Sequence, residues 1–337
     1  MKAVGYQKSL PITHADSLLD ITLDKPVPGA KDLLVQIAAI SVNPVDTKMR
    51  MRAASEDGNP LVLGWDGVGT VVAKGPECTL FNIGDQVFYA GAINRPGTNS
   101  EYHLVDERIV GKKPLPISNA EAAALPLTSI TAWEMLFDRL GIPHSKTASD
   151  DVLLIIGGAG GVGSIAIQLA KALTGLKIVA TASRPETQAW VKCLGADYVL
   201  DHSQSLPAQW KALGIAHPNY IFSTTHTDKH FDTLVELISP QGRIGLIDDP
   251  DMIDIRKLKR KSVSIHWELM FTRSLFSTPD MIKQHRLLNE ISTLVDNGSI
   301  KTTMSENFGV INAQNIKRAH ALLESGKAKG KIVLEGF

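Results

Sequence analysis

A glycine-rich run, IIGGAGGVGS, contains the residues whose types and spacing point most directly to chemistry. Gly158, Gly160 and Gly163 have the spacing GxGxxG, directly after an apolar stretch and before a helical one. The first glycine permits a tight turn, the second lets backbone N–H groups approach a pyrophosphate, and the third lets the helix pack against the strand. The run therefore predicts a dinucleotide bound at a helix N-terminus.

The residues after the next predicted strand indicate which dinucleotide is bound. NAD-binding sheets usually carry an Asp or Glu about 20 residues past the loop, where it accepts from the ribose 2′-OH. Here that strand ends ATASR, with no acidic residue. Arg184 offers a bidentate fork and Ser183 a hydroxyl, and both suit a 2′-phosphate. The sequence therefore predicts that the dinucleotide is NADP(H). The alternative for Arg184 is that it is a surface arginine at the start of a helix, with no role in binding.

The elements that must position these residues follow from the periodicity of the sequence. From residue 151 to about residue 266, apolar strand runs alternate with helical patterns, which predicts a parallel sheet covered by helices on both faces. Before residue 120, short strands separated by proline and glycine turns predict an antiparallel, barrel-like part. The predicted strands are 33–40, 69–73, 85–89, 102–105, 152–156, 178–182, 198–200, 220–222, 244–247 and 332–334, and the helices 162–174, 185–194, 229–238, 280–296 and 313–325.

Composition excludes several classes of function. A chain of 337 residues suggests about two domains. Lys and Arg number 35, as do Asp and Glu, which leaves no polycationic surface for nucleic acid or an acidic membrane. Two cysteines form neither a disulfide framework nor a metal knuckle, so a reducing cytosol fits. No signal peptide and no stretch of about 18 apolar residues occurs, which predicts a cytoplasmic protein with a small-molecule substrate.

The glycine run and its flanks, from residue 150 to 163 with Gln168 and Lys171, resemble the signature of quinone oxidoreductases and zeta-crystallins, members of the medium-chain dehydrogenase/reductase superfamily. The stretch TASRPE at 181–186 is similar to the bacterial group called zinc-type alcohol dehydrogenase-like. The resemblance covers the whole chain, with further matches at NPVD (43–46), GWD (64–66), FNIGDQV (81–87), TAW (131–133) and GKIVL (330–334).

The resemblance implies an α/β fold in which a GroES-like β-barrel catalytic domain is followed by a Rossmann domain, a doubly wound parallel sheet, with a cleft between them. The implied boundaries are 1–122, completed by 275–337, for the catalytic domain and 123–274 for the NADP(H)-binding domain. It also implies a homodimer that pairs the edge strands of two Rossmann sheets near residues 262–267.

The resemblance also supplies cofactor contacts outside the glycine loop. Thr131 is expected against the nicotinamide, and His202 stands where relatives often have a tyrosine near the adenosine phosphate. Thr224 and residues 246–248 are expected on the other side of the cofactor. The predicted cofactor-binding residues are Gly158, Gly160, Gly161, Val162, Gly163, Ser183, Arg184, His202, Thr224, Leu246, Ile247 and Asp248.

Three substitutions argue against the metal of the zinc-dependent relatives. Their ligands are a cysteine at the position of Asn43, a histidine at Trp65 and a cysteine near Leu127, and catalytic zinc needs three such ligands. The four cysteines of a structural zinc lobe are absent from 84–115. His226 and His230 have i,i+4 spacing but no third ligand, so two surface histidines are predicted, and no metal site.

Without zinc, the chemistry that remains is reduction of a quinone or of an α,β-unsaturated carbonyl compound by NADPH. Hydride goes to the β-carbon, and charge collects on the carbonyl oxygen, where hydrogen-bond donors can stabilise it. The candidate catalytic residues are Asn43 as amide donor, Asp46 to orient Asn43 or a water, Trp65 to stack on a flat substrate, Tyr89 as proton donor, and Thr131. The alternatives are structural: a turn carboxylate for Asp46, a core tryptophan for Trp65 and strand packing for Tyr89.

Two other functions stay open. One is a zinc-independent dehydrogenase of alcohols or aldehydes, and the other is a non-catalytic NADPH-binding protein like the crystallins of this family. The first should reduce or oxidise a substrate with the cofactor, whereas the second should bind NADPH without turnover. A lyase acting on acidic sugars fits least, because the neutral chain has no basic cluster for a polyuronate.

Overall fold

A computed structural model describes the whole chain, residues 1–337. The chain divides into two units. Met1–Ile130 and Phe271–Phe337 together form unit 1, and Thr131–Met270 forms unit 2. Unit 1 is therefore discontinuous in sequence, whereas unit 2 is one contiguous segment.

The first segment of unit 1 consists mainly of short strands separated by turns. Ser118 and Glu121 form a capping box at its second helix, in which each side chain accepts a hydrogen bond from the backbone N–H of the other residue. Its strands are β1 (Lys2–Tyr6), β2 (Leu19–Thr22), β3 (Asp32–Val42), β4 (Leu61–Val62), β5 (Asp66–Lys74), β6 (Gln86–Ala90), β7 (Tyr102–Asp106) and β8 (Val110–Lys112). Its helices are α1 (Pro44–Arg52), α2 (Asn119–Ala123) and α3 (Pro126–Trp133), whose last residues belong to unit 2.

Unit 2 alternates strands and helices after a π-helix, Glu134–Arg139. The elements are β9 (Val152–Ile156), α4 (Gly161–Leu173), β10 (Lys177–Thr181), α5 (Pro185–Cys193), β11 (Tyr198–Leu200), α6 (Leu206–Leu213), β12 (Tyr220–Ser223), α7 (Thr227–Leu237), β13 (Arg243–Leu246) and β14 (Ser264–Trp267). The six strands are all parallel, in the order β11-β10-β9-β12-β13-β14. The order reverses direction at β9, and open sheets of this kind bind ligands beyond the carboxyl ends of the strands at such a point.

The second segment of unit 1 completes its main sheet. The elements are α8 (Thr272–Leu275), α9 (Ile282–Asp296), β15 (Met304–Asn307), α10 (Ala313–Glu324) and β16 (Lys331–Glu335). β16 pairs antiparallel with β3, Leu334 lying opposite Ile40. The sheet order is β15-β16-β3-β5-β6-β8, β7 also pairs with β3, and β1, β2 and β4 form a separate three-stranded sheet.

The predicted α/β architecture is confirmed, with an antiparallel part in unit 1 and a doubly wound parallel sheet in unit 2. The bounds of β9 and β11 are those expected from the sequence. The structure adds elements that the periodicity does not reveal, among them α1, α6, β1, β2 and β15. None of the helices combines the length and the apolar character needed to cross a bilayer.

The local chemistry of α1 explains why its helical form escapes prediction. Its buried residues are polar or charged, namely Asp46, Thr47 and Arg50, so it has no apolar stripe. The Arg50 guanidinium is fully buried, donates to the carbonyl oxygen of Leu10 and forms an ion pair with Glu324 of α10. Partners distant in sequence therefore hold this helix, and a pattern search along the chain cannot see them.

Candidate active site

The glycine loop of unit 2 connects β9 to α4 at the point where the strand order reverses. Gly157 has a φ of 75°, a conformation that residues with a Cβ rarely adopt. A Cβ on Gly158 would lie 2.9 Å from Cβ of Ala180, and one on Gly163 would lie 2.5 Å from the carbonyl oxygen of Gly157. A side chain at either position would therefore push the loop away from the sheet or from the helix.

The same loop leaves backbone donors at the start of α4. The helix begins at Gly161, and the first N–H groups of a helix have no acceptor within it. Gly160 has room where a Cβ would stand, with only the Gly157 carbonyl oxygen at 3.5 Å. Gly161 and Val162 are only partly buried. These residues fit the pyrophosphate of a dinucleotide, because the donors and the positive end of the helix dipole face an accessible cradle.

Ser183 and Arg184 follow β10, the strand beside β9. The three residues at and after the end of β10 are Thr181, Ala182 and Ser183, so no carboxylate stands where a ribose 2′-OH would be bound. Arg184 precedes α5, and its Nε lies 2.9 Å from Oε1 of Glu186. Both side chains are more than a third exposed, and exposed pairs of this kind contribute little to stability.

The remaining predicted cofactor contacts lie at or just after the ends of β11, β12 and β13. His202 follows β11, and burial lowers its pKa. Thr224 donates from Oγ1 to the Ile156 carbonyl oxygen at 2.8 Å. Asp248 accepts from the backbone N–H of Thr227 at 2.8 Å, at the start of α7. Leu246 is buried and Ile247 is half-buried.

In unit 1, Asn43 and other hydrogen-bond donors surround a buried carboxylate, Asp66. Asn43 follows β3, and its Nδ2 donates to Oδ2 of Asp66 at 2.8 Å. Ser41 Oγ donates to the same oxygen at 2.6 Å, and the backbone N–H of Leu127 donates to Oδ1 at 2.7 Å. Three donors from two segments of the chain thus converge on one carboxylate that is fully buried.

A buried lysine, Lys331 of β16, completes this cluster. Its Nζ donates to the carbonyl oxygen of Val42 at 3.0 Å and to Oδ1 of Asn43, and it lies 3.2 Å from Oδ2 of Asp66. Sequence reasoning assigned no role to Lys331 or to Ser41. Nothing in the local sequence marks Lys331 as buried, because it directly precedes the apolar run IVL and a lysine is ordinarily solvent-exposed.

Asp46 is a second buried carboxyl beside the cluster. Its Oδ2 accepts from the backbone N–H of Asn43 at 2.6 Å, and its Oδ1 has no hydrogen-bond partner. Burial raises the pKa of Asp46 to about 7, although the Asn43 N–H and the charge of Lys331 act in the opposite direction. A carboxyl group that titrates near neutral pH can hold or release a proton under ordinary conditions.

Trp65 occupies the core of unit 1, with 2% of its surface exposed. Its indole N–H donates to the carbonyl oxygen of Ala92 at 3.2 Å. Its ring meets that of Phe271 edge to face, with ring centroids 5.7 Å apart. Both ends of the side chain therefore have partners, as a core tryptophan requires.

Tyr89 is fully buried, and its hydroxyl lies 3.0 Å from Nδ1 of His103. His103 Nε2 lies 2.9 Å from the carbonyl oxygen of Pro96, which can only accept, so the ring proton is on Nε2. Nδ1 then accepts from the tyrosine hydroxyl. Burial lowers the pKa of His103 to about 4 and raises that of Tyr89. Sequence reasoning did not identify His103.

Thr131 lies on α3 and is the first residue of unit 2. It is buried, with 5% of its surface exposed. The structure therefore brings Asn43 and Asp46 into one cluster within unit 1, whereas Trp65 and Tyr89 have separate partners of their own.

The residues at the positions of the zinc ligands do not fit a catalytic zinc ion. The Asn43 amide is bonded to Asp66 and Lys331, the Trp65 nitrogen is a donor, and the Leu127 side chain has no lone pair. The carboxylate of Asp66, which already accepts from several donors, is paired with the ammonium group of Lys331. No group of three or more His, Cys, Asp or Glu side chains in the chain could hold a metal ion.

Comparison with known proteins identifies two family regions. The family described as alcohol dehydrogenase GroES-like domain matches residues 29–115, and the family described as zinc-binding dehydrogenase matches residues 161–287. A zinc-type alcohol dehydrogenase-like protein of Staphylococcus aureus (strain MSSA476) is 44% identical over 336 residues, 99% of each chain. A 2-methylene-furan-3-one reductase of Solanum lycopersicum is 29% identical over 94% of this chain and 75% of its own length.

Solved structures extend this similarity. A Rhizobium etli CFN 42 protein, provisionally named a zinc-dependent alcohol dehydrogenase, is 59% identical with a TM-score of 0.96, covering 100% of this chain and 98% of that one. A quinone oxidoreductase of Pseudomonas syringae pv. Tomato DC3000 is 25% identical with a TM-score of 0.83, covering 99% of each chain. The similarity spans both units of the fold.

Proposed function

The chain belongs to the medium-chain dehydrogenase/reductase superfamily, a family of oxidoreductases, and on that premise we propose that it is a zinc-independent reductase using NADPH. Its proposed substrates are quinones or α,β-unsaturated carbonyl compounds. The observation that carries the proposal is the polar cluster of unit 1, in which an amide donor, Asn43, is held by Asp66 and Lys331 where zinc-dependent relatives have a metal ligand.

The choice of substrate class follows from what this cluster can stabilise. An amide nitrogen carries two N–H donors, and Asn43 uses one of them on Asp66. The second can donate to a carbonyl oxygen on which negative charge develops. Oxidation of an alcohol would instead require loss of the hydroxyl proton, a step that a Lewis acid usually assists. Names of relatives support the same class, since they include an enone reductase and a quinone oxidoreductase.

A bound reduced nicotinamide supplies a hydride to the β-carbon of the acceptor or to the quinone. The C=C electron pair then forms a double bond to the carbonyl carbon, the C=O π pair moves onto oxygen, and Asn43 is proposed to stabilise the resulting enolate. The enolate is neutralised by one proton. Asp46 is the proposed source or relay of that proton, because its pKa is raised to about 7 and its Oδ1 is not engaged. Trp65 and Thr131 are proposed to shape the site, and Tyr89 to act only through His103.

The proposed preference for NADPH depends on Ser183 and Arg184. No acidic residue follows β10 to select a free ribose 2′-OH, and the guanidinium of Arg184 is 38% exposed and can reach a phosphate. The other proposed contacts are those named from the sequence, with His202 near the adenosine phosphate and Thr224 and residues 246–248 opposite. Asp248 is proposed to contribute through its backbone, since its side chain caps α7.

The test is direct. The purified protein is titrated with NADPH and NADH, and a small para-benzoquinone or methyl vinyl ketone is then added while the absorbance of the reduced cofactor is followed. Preferential NADPH binding with acceptor-dependent oxidation supports the proposal. Turnover only with an alcohol or aldehyde would favour the dehydrogenase alternative. Tight NADPH binding without oxidation across a broad acceptor panel would favour a non-catalytic binding protein.

We also propose that two copies pair through β14. This strand is at the edge of the six-stranded sheet, and its last residue, Trp267, is 52% exposed. An edge strand with an exposed aromatic side chain is suited to pairing with a second copy. Sedimentation analysis of the wild type and of Trp267→Glu tests the proposal: a dimer that dissociates in the variant supports it, and a monomeric wild type contradicts it.

A further inference from the structure

We infer that Lys331 is the resident cation of the Asp66 cluster and that it positions the Asn43 amide to donate to the substrate oxygen; this inference rests on the proposed function. Nothing in the names of the relatives points to this lysine. It would act as a positioning residue, because all its contacts are with protein atoms.

The geometry leaves the ammonium no other role. Lys331 Nζ has three donors, and three acceptors surround it: the Val42 carbonyl oxygen at 3.0 Å, Asn43 Oδ1, and Asp66 Oδ2 at 3.2 Å. The side chain is 3% exposed. Every N–H of the ammonium is thus committed inside unit 1, so it can fix its neighbours but has no spare donor for a substrate.

The ammonium determines which end of the Asn43 amide faces which partner. Nζ can donate but not accept, so the amide oxygen must face Lys331 and the amide nitrogen must face Asp66. The reversed orientation would set two donors against each other and two acceptors against each other. Because both ends are fixed, the second N–H of the amide has a defined direction, and preorganised donors of this kind stabilise developing charge.

The ammonium group of Lys331 also determines the net charge around the Asn43 N–H donor. Asp66 carries a carboxylate that accepts from Ser41, Asn43 and the Leu127 N–H, and Lys331 is the only cation in contact with it. Without Lys331, a buried negative charge would stand one hydrogen bond away from the group that must stabilise an enolate. In a poorly hydrated interior such repulsion is weakly screened. Lys331 thus neutralises the charge of Asp66 beside the Asn43 donor.

Two variants separate this role from simple structural support. Lys331→Gln keeps N–H donors on a polar side chain of similar shape and removes the positive charge. The double variant Lys331→Met with Asp66→Asn removes both charges, so no unpaired charge is left buried. Lys327→Met is the matched control, because Lys327 is an exposed lysine four residues before Lys331. Each variant is checked for folding by circular dichroism and for NADPH affinity by fluorescence titration.

The kinetic readout is the rate of hydride transfer in a single turnover. We expect both variants to bind NADPH within about twofold of wild type and to transfer hydride about a hundredfold more slowly, the size of effect seen when an oxyanion donor is lost. Lys331→Gln leaves Asp66 without its counter-charge, whereas the double variant stays neutral and lacks the ammonium that fixes the Asn43 amide. The loss should be in kcat and not in KM, because the amide acts on charge that exists only in the transition state. A double variant that folds and transfers hydride within about threefold of wild type would overturn the inference.

A second readout does not depend on turnover. The side-chain amide resonances of Asn43, identified by their loss in Asn43→Ser, should shift in Lys331→Gln and stay unchanged in Lys327→Met. Resonances that do not move in Lys331→Gln overturn the inference. A wild-type protein that binds NADPH but oxidises it with none of the acceptors overturns the proposed function instead, and the amide resonances still decide whether Lys331 positions Asn43.

Discussion

The Nζ atom of Lys331 lies 3.2 Å from Oδ2 of Asp66, and the two side chains are only 3% and 0% exposed. Such a pair is costly to bury, and its two charges depend on each other. Removing one partner leaves an uncompensated charge in the interior, whereas removing both leaves none. The stability of unit 1 should therefore respond very differently to single and double substitution at these two positions.

Asp66→Asn alone should lower the free energy of unfolding by about 3–5 kcal/mol, because Lys331 is then buried without a counter-charge. Adding Lys331→Met should recover much of that loss. Urea unfolding of the four proteins of this cycle measures the coupling. The exposed pair Asp150 and Lys177 is the control, and the same double-mutant cycle on this pair should give a coupling energy of about 0–1 kcal/mol. A coupling equally small for Asp66 and Lys331 would contradict the expectation.

Arg184→Ala should weaken NADPH binding by about tenfold to a hundredfold and leave NADH binding nearly unchanged, because a charge-assisted hydrogen bond to the 2′-phosphate is lost. Fluorescence titration with each cofactor measures the ratio of the two affinities. Lys211→Ala removes an exposed positive charge from α6 and should change neither affinity. An equal loss for both cofactors in Arg184→Ala would show that the arginine does not select the phosphate.

Asp46 should make the stability of the protein fall as pH rises from about 4 to about 7. Burial raises its pKa to about 7, so the folded chain keeps a proton that the unfolded chain releases above about 4. Asp46→Asn should remove a slope of at most about 1.4 kcal/mol per pH unit in that window. Urea unfolding at several pH values measures it, with exposed Asp24→Asn as control. Parallel pH profiles for wild type and Asp46→Asn would be the contrary result.

His320 should make the protein less stable as pH falls, which is the opposite of the pH dependence expected from Asp46. Burial and the neighbouring Arg50 lower its pKa to about 3, and neither ring nitrogen has a hydrogen-bond partner. The unfolded chain takes up a proton below about 6.5 that the folded chain refuses until about 3, so stability falls as pH falls through this window. Thermal unfolding should show that His320→Leu loses less stability in acid than wild type does. The same change at exposed His14 should not alter the slope.

The glycine loop and its sheet are predictable from the sequence because their signal is local. The whole signal lies within a dozen residues: the apolar run of β9 and the glycines Gly158, Gly160 and Gly163. Each close approach of the backbone there is met by a single glycine. The same holds for the absence of an acidic residue after β10. These features can be predicted without knowing which distant residues lie close to them in the fold.

The polar cluster of unit 1 is only half predictable, because its partners are far apart in the sequence. The sequence points to Asn43 and Asp46, but one partner of the Asn43 amide, Lys331, lies 288 residues away. Tyr89 was predicted as a proton donor on its own, and its hydroxyl is tied to His103 from another strand. A lysine or histidine in a strand carries no local mark of burial, so the pairing appears only once the strands are assembled.

The discontinuity of unit 1 bears on how the chain is made in the cell. Asp66 and its counter-charge are separated by 265 residues, and the whole of unit 2, Thr131–Met270, is synthesised between them. While the ribosome is still translating that segment, the carboxylate of Asp66 has no ammonium to meet and must stay hydrated. The contiguous unit can fold as soon as it emerges, whereas the discontinuous one waits for β16. The order of translation therefore predicts that unit 2 matures first and the polar cluster of unit 1 last.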